Sequence, residues 1–267
     1  MVVLRVITLL TDFGLRDSYV AEMKGVILRL CPEAVVVDIS HEIRKYDIEE
    51  GAYNLARAVR YFPKGTIHVG VVDPGVGGPR KPIIIEAHDA FFVGPDNGLL
   101  APAAERLGIK GVYEITRMDL LPPRVSDVFH GRDIFAPTAA LLARGLKPSD
   151  LGSQLSEYRR LPLYTVKVEN GRIYAKIIHV DGFGNLVTNV TYEDLDAAGI
   201  EVGTTLEVQI GGATYRIPFV RAFSSVPVGE LLLLVAGGGY LEISVNQGNA
   251  SAELGVEKGV EVRLSPL

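Results

Sequence analysis

Apolar positions in the first half of the chain alternate between two periods. Val3 to Leu10 is apolar and β-prone apart from Arg5, and Thr11-Asp12-Phe13-Gly14 interrupts it. From Asp17 onward apolar residues recur at helical spacing through Val20, Met23, Val26, Ile27 and Leu30. The same order of strand, polar loop and helix returns with Ala34 to Ile39, a loop holding His41 and Tyr46, and Ile48 to Phe62, which Pro63 and Gly65 stop. Thr66 to Val72 is a third strand. This β-α-β-α-β order predicts a largely parallel sheet covered by helices. Pro82 to Ala87 and Ala90 to Val93, joined by a His88-Asp89 turn, and Gly111 to Ile115 extend the strand count. A turn cluster at Gly94 to Gly98 leads to a short helix ending at Leu107, and Ile134 to Ala143 reads as another helix with Gly145 past its end.

The pattern fades between Leu151 and Pro162 and then changes character. Thr165 to Val168, Arg172 to Val180, Leu186 to Val190, Thr205 to Ile210, Thr214 to Pro218, Glu230 to Val235, Tyr240 to Val245 and Val260 to Leu264 are short strand candidates, and helices largely disappear. The expected fold is therefore an N-terminal α/β domain, residues 1–158, with a smaller C-terminal β-barrel-like domain, residues 164–267.

Composition narrows the class. With 267 residues, 48% of them hydrophobic, the chain can bury a sizeable core. A net charge of -5 without any Lys/Arg run gives no attraction to nucleic acid or anionic membrane. Cys31 is the single cysteine, which rules out an intramolecular disulfide and a CxxC metal site and favours a reducing compartment. Neither MVVLRVITLL nor Leu231 to Tyr240 is long enough to span a bilayer, and the former lacks a cleavage site, so the expected location is the cytoplasm. Asn189-Val190-Thr191 then reads as a chance sequon.

Ligands of α/β sheets bind outside the carboxyl ends of the strands. Three polar loops fall there: Thr11-Asp12, His41 to Tyr46, and the stretch VVDPGVGGPR from Val71 to Arg80. Alone, the last reads as a hairpin turn whose Asp73 and Arg80 pair on the surface. With His130, at a loop-to-helix junction, the two would offer a carboxylate, a fixed cation and a side chain that titrates near neutrality. No Ser or Cys stands among them as a nucleophile, a set suited to positioning and deprotonating water. GVGGPR lacks the third glycine of a dinucleotide fingerprint, P-loop and HExxH are absent, and Asp38, His41 and His179 fit no standard metal spacing. In the second domain, Asp181-Gly182-Phe183-Gly184-Asn185 reads alone as a β-turn with a buried Phe, or as an aromatic face and an amide for a purine.

Taken together, TDFGLRDSYVAEMKG, VVDPGVGGPR, GPDNGLL, FHGRD and HVDGFGNLVTNV, in this order, resemble the S-adenosylmethionine (SAM) hydrolases, or SAM hydroxide adenosyltransferases, relatives of fluorinase and chlorinase. The resemblance implies that a water-derived hydroxide displaces methionine from C5′ of SAM, giving adenosine and L-methionine. By motif the catalytic set falls on Asp73, Arg80 and His130, the ribose carboxylate on Asp12 and a site-lining aromatic on Tyr46. Asp181 matches the carboxylate for the substrate's amino group, Phe183 and Asn185 match adenine contacts, and Phe223 is a second aromatic. No cofactor or metal is expected. The resemblance also implies a homotrimer whose active sites lie between the N-terminal domain of one subunit and the C-terminal domain of the next.

Halogenating relatives carry a Tyr at the position of Asp73, lack the His at His130 and have an extra loop after Arg80, differences that favour hydroxide here. Ala236-Gly237-Gly238-Gly239 stands where family members more often have an Asn-Ser pair for the methionine carboxylate; backbone N–H groups are the candidate substitutes. The residues leave the base open between Asp73 and His130. They also leave open a SAM-dependent halogenase, a SAM- or adenosine-binding sensor without turnover, and an unrelated metal-dependent hydrolase.

Overall fold

The computed structural model describes residues 5–162 and 165–267; the Val3 start of the first expected strand and Tyr164, where the second expected domain begins, lie outside the described residues. Contacts divide the chain into two compact units, Met1–Leu161 and Pro162–Leu267.

The first unit runs β1 (Val6–Thr11), α1 (Tyr19–Leu30), β2 (Val35–Ser40), α2 (Ile48–Ala58), β3 (Thr66–Val71), β4 (Pro82–Ala87), β5 (Ala90–Pro95), α3 (Ala101–Leu107), β6 (Ile109–Ile115), α4 (Ala136–Ala143), α5 (Pro148–Leu151) and β7 (Gly152–Gln154). Its sheet has the order β2-β1-β3-β5-β4-β6-β7. β1, β2, β3 and β5 are mutually parallel, and β4 and β7 reverse the direction. Because β5 separates β3 from β4, the stretch from Val71 to Arg80 crosses over a strand, so the hairpin expected of it does not form. β1 and β3 are buried along their whole length, which explains their continuous apolar runs. Alternate residues face opposite layers. Leu9 and Val69 join Met23 and Ile27 of α1 and Ala136, Ala139 and Ala140 of α4 in one core. On the other face, Gly70 meets Leu55 of α2 and Leu99 and Leu100 ahead of α3. Truncating a fully buried Leu9 or Ile27 to Ala would cost roughly 2–5 kcal/mol.

Two local departures have physical causes. The helix expected from Ile134 is preceded by a π-turn over Gly131–Phe135, directly after His130. Pro137, in the first turn of α4, has no N–H to offer the carbonyl one turn back, which favours the wider turn. Within the polar segment after Leu151, β7 adds an edge strand to β6, too short to leave a periodic signal.

The second unit contains β8 (Lys167–Glu169), β9 (Arg172–Val180), β10 (Leu186–Thr191), α6 (Tyr192–Ala197), β11 (Thr205–Ile210), β12 (Ala213–Pro218), β13 (Leu231–Val235), β14 (Tyr240–Val245), α7 (Ala250–Leu254) and β15 (Glu261–Pro266). Its antiparallel sheet follows β12-β11-β15-β9-β10-β14-β13, with β8 added on β9. A bridge between Phe219 and Leu233 brings the two ends of that path together, so the sheet nearly closes around Ile177, Leu206, Leu241 and Leu264. The two short helices escape a periodicity search but keep their caps: Thr191 and Asn249 each accept a backbone N–H. Asn189 is buried, with its amide bonded to Lys176 N and Thr165 O, which removes it as a glycan acceptor in the folded chain. Among the described residues no helix is long and apolar enough to cross a membrane.

Candidate active site

The carboxyl ends of β1 and β3 lie side by side and release Asp12 and Asp73. Asp12 is buried; its Oδ2 accepts the Tyr46 N–H at 2.9 Å, and Lys45 Nζ reaches its carbonyl. Tyr46 is held at φ 66, a left-handed conformation costly for a residue with a Cβ, and its ring is 71% exposed.

After β3 the chain turns through Val76 N–H to Asp73 O (3.2 Å) and Gly78 N–H to Gly75 O (3.0 Å), with Gly77 at φ +76 supplying the left-handed step. That turn returns Arg80 to Asp73. Nε donates to Oδ1 at 3.0 Å and Nη2 to Oδ2 at 2.5 Å, a bidentate pair whose side chains are only 10% and 5% exposed. The two residues do pair, as the surface-turn reading has it, but they do so below the surface. Asn97 of the GPDNG turn fixes the strand end by donating to Val72 O at 2.8 Å.

His130 completes the cluster. Its Nδ1 lies 2.5 Å from the same Arg80 Nη2, and both groups lean on Phe135. Since a guanidinium can only donate, Nδ1 is the acceptor and Nε2 carries the proton. Burial, followed by the Arg80 and Arg124 charges, holds the His130 pKa below its ordinary value, against smaller opposing pulls from Asp73 and the Asp127 backbone. Arg132 and Asp133 of FHGRD are scaffold. Asp133 accepts from Val125 N, Ser126 N and Arg132, while Arg132 also bonds Glu22 of α1.

Asp12, Tyr46, Asp73 and His130 line one cavity of about 300 Å³ together with Phe13, Asp17, Tyr19, Lys45, Val76 and Phe129. Arg80 does not line it; it stands behind Asp73 and His130 and holds both. Phe13, Tyr19 and Phe129 meet edge to face at 5.4–5.8 Å and form an aromatic wall. Residue spacing alone does not mark these three as lining residues, although Phe13 and Phe129 sit inside TDFG and FHGRD. A larger groove of about 650 Å³ on the second unit, lined by Lys167, Tyr174 and Arg263, contains none of the expected site residues.

In the second unit, Asp181 Oδ1 accepts the N–H groups of Phe183 and Asn185, and Oδ2 accepts from the Asn185 amide, all at 2.9 Å. This Asx-type turn presents Phe183 outward at 80% exposure, so the β-turn reading holds but the Phe is not buried. Phe223 begins a 3₁₀ turn and is partly exposed. Ala236 to Gly239 forms the turn between β13 and β14, where the N–H groups of Ala236 and Gly239 are bonded within the turn, so these two are not free to hold a carboxylate. Among the described residues no three His, Cys, Asp or Glu side chains converge as metal ligands.

Comparison with known proteins agrees in both units. The family description "SAM hydroxide adenosyltransferase N-terminal domain" matches residues 7–152, and "SAM hydroxide adenosyltransferase C-terminal domain" matches residues 175–263. A protein of Salinispora tropica named (R)-S-adenosyl-L-methionine hydrolase is 40% identical over 97% of both chains. A fluorinase of an Actinoplanes species is 27% identical over 97% of both. The crystal structure of a conserved protein from Thermotoga maritima superposes with a TM-score of 0.93 at 38% identity, covering 97% of this chain and 99% of that one.

Proposed function

The chain belongs to the SAM hydroxide adenosyltransferase family, and on that premise we propose that it hydrolyses S-adenosyl-L-methionine to adenosine and L-methionine. The observation that carries this reading is the Asp73–Arg80–His130 cluster on a cavity whose lining includes no Ser, Thr or Cys. Water is the nucleophile such a site is equipped to use. Its oxygen bonds to C5′, the C5′–S bond breaks, the electron pair goes to sulfur, and methionine departs as a neutral thioether. One proton is lost from the water, and no leaving-group acid or cofactor is needed for the balance.

The hydrogen-bond directions divide the labour. With Nδ1 engaged by Arg80, His130 carries its proton on Nε2, which lies near the Asp127 backbone without a well-aligned hydrogen bond among the described residues, a donor suited to hold the oxygen of the attacking water. Asp73 is then the group that takes the proton, and Arg80 fixes both. Asp12 is assigned to the ribose and Tyr46 to the site wall, with Asp181, Phe183, Asn185 and Phe223 assigned to the amino group and adenine. Exposed aromatic rings on substrate-binding loops, at Tyr46 and Phe183, support a homotrimer in which a neighbouring subunit completes each site.

Incubation with SAM in ¹⁸O-labelled water tests the reading: labelled adenosine and free methionine are expected. Intact SAM, or a 5′-halogenated adenosine formed only with chloride or fluoride, would overturn it. Light scattering tests the assembly, and an active monomer would refute the shared site.

A further inference from the structure

Beneath the Asp12 loop runs a line of polar side chains that the chemistry above does not use. His41, buried just after β2, places Nδ1 2.9 Å from the hydroxyl of fully buried Thr11. Its Nε2 stands 3.0 Å from Asp38 Oδ1, within hydrogen-bond distance though poorly aligned, and Asp38 Oδ2 accepts from Lys24 Nζ at 2.6 Å. Burial works to raise the Asp38 pKa, but the hydrogen bond from Lys24 and the nearby His41 outweigh it and the net direction is down.

Proton directions order this line. The Asp38 carboxylate beside Nε2 can only accept, so Nδ1 is left to accept the Thr11 hydroxyl proton, while Thr11 Oγ1 accepts the Phe13 N–H at 3.2 Å. The His41 proton is then on Nε2, facing Asp38. The His41 carbonyl accepts the Gly14 N–H at 2.7 Å, so the same residue grips the loop on both sides of Asp12. A hydroxyl, imidazole and carboxylate in series resemble a nucleophilic triad, but a fully buried Thr11 cannot reach a substrate.

We propose that His41 is a positioning residue for substrate binding. Anchored by Asp38 and Lys24, it fixes the Thr11 hydroxyl and the backbone of the loop, and so sets how Asp12 presents its carboxylate to the ribose. This rests on the assignment of Asp12 to the ribose.

The test compares steady-state kinetics with SAM, and adenosine binding by calorimetry, across a small set of variants. Thr11→Val removes the hydroxyl at constant shape, and His41→Gln keeps a donor toward Asp38 but loses the acceptor at Nδ1. Each is expected to raise KM and the adenosine Kd roughly tenfold with kcat within about twofold. Thr11→Ser and His41→Asn, which restore donor and acceptor, should stay within about threefold. The double variant Thr11→Val/His41→Gln should be no worse than the weaker single, because both break one link. Asp38→Ala, at the accessible end, should move KM in the same direction by about threefold and keeps the test open if the buried variants fold poorly. Asp12→Asn separates the two readings. Raised KM in Asp12→Asn beside unchanged KM in Thr11→Val and His41→Gln overturns the positioning role alone, whereas unchanged KM and Kd in Asp12→Asn overturn the ribose assignment beneath it.

Discussion

Acidification from about pH 7.5 to about pH 5 should cost this fold about 2 kcal/mol through one side chain, His68. His68 lies on β3, the strand that leads to Asp73, and is buried between the rings of Phe92, stacked at 5.2 Å, and Phe62, edge-on at 5.6 Å. Its Nδ1 meets Thr8 Oγ1 at 2.8 Å, and Nε2 is buried without a partner among the described residues. Burial alone lowers its pKa to about 4. In the unfolded chain an ordinary histidine takes its proton near pH 6.5, so the unfolded state binds the proton first as pH falls. Stability is therefore fully present above about 6.5, declines between about 6.5 and about 4, and loses no more below that. At roughly 1.4 kcal/mol for each pH unit the limit is about 3 kcal/mol, of which about 2 is lost by pH 5. Urea unfolding of the wild type and His68→Gln at both pH values isolates the effect, because carboxylates common to both proteins cancel in the double difference. The glutamine variant should be less stable at neutral pH and lose about 2 kcal/mol less than the wild type on acidification. An equal loss in the two proteins would refute the assignment.

Three further outcomes follow from the site. Arg80→Lys replaces a bidentate fork that reaches Asp73 and His130 at once, so kcat should fall roughly a hundredfold with KM little changed; steady-state kinetics with SAM checks it. Burial and then the Arg80 and Arg124 charges hold His130 neutral below its usual range, and protonation would cancel its acceptance from Arg80, so the acid limb of kcat/KM should lie below pH ~6.5 and move in Arg124→Ala, as a pH–rate profile would reveal. Gly184→Ala places a Cβ 2.2 Å from the Asn249 side chain at φ +85 and should destabilise the chain by roughly 2 kcal/mol or more, visible as a lower urea midpoint.

Period and turn chemistry made most of the architecture legible. β1 to β6 and the strands from β8 to β15 all fall on runs that could be marked in the chain, because a buried strand needs several consecutive β-prone residues. The elements that escaped are short. α6 is held by a reciprocal capping box of Thr191 and Asp194, α7 by the Asn249 cap, and β7 by pairing with β6, none of which spans enough residues to establish a period.

The site divides along a similar line. Strand-end loops could be located in advance, since a sheet of this class binds ligands there, and TDFG, VVDPGVGGPR and FHGRD supplied the residue types. What each polar atom touches depends on contacts that sequence spacing does not encode. Arg80 and His130 are 50 residues apart, and meet where the loop after β3 reaches the start of the π-turn. Thr11 and His41 are 30 apart and meet because β1 and β2 are neighbours. Phe183 points outward because Asp181 gathers the turn's N–H groups inward and Gly184 lies against Asn249, far along the chain. In each case a carboxylate or imidazole already has a protein partner before any substrate arrives. The freedom left to it is direction rather than position, which is the property a site needs if one water is to meet one carbon in line.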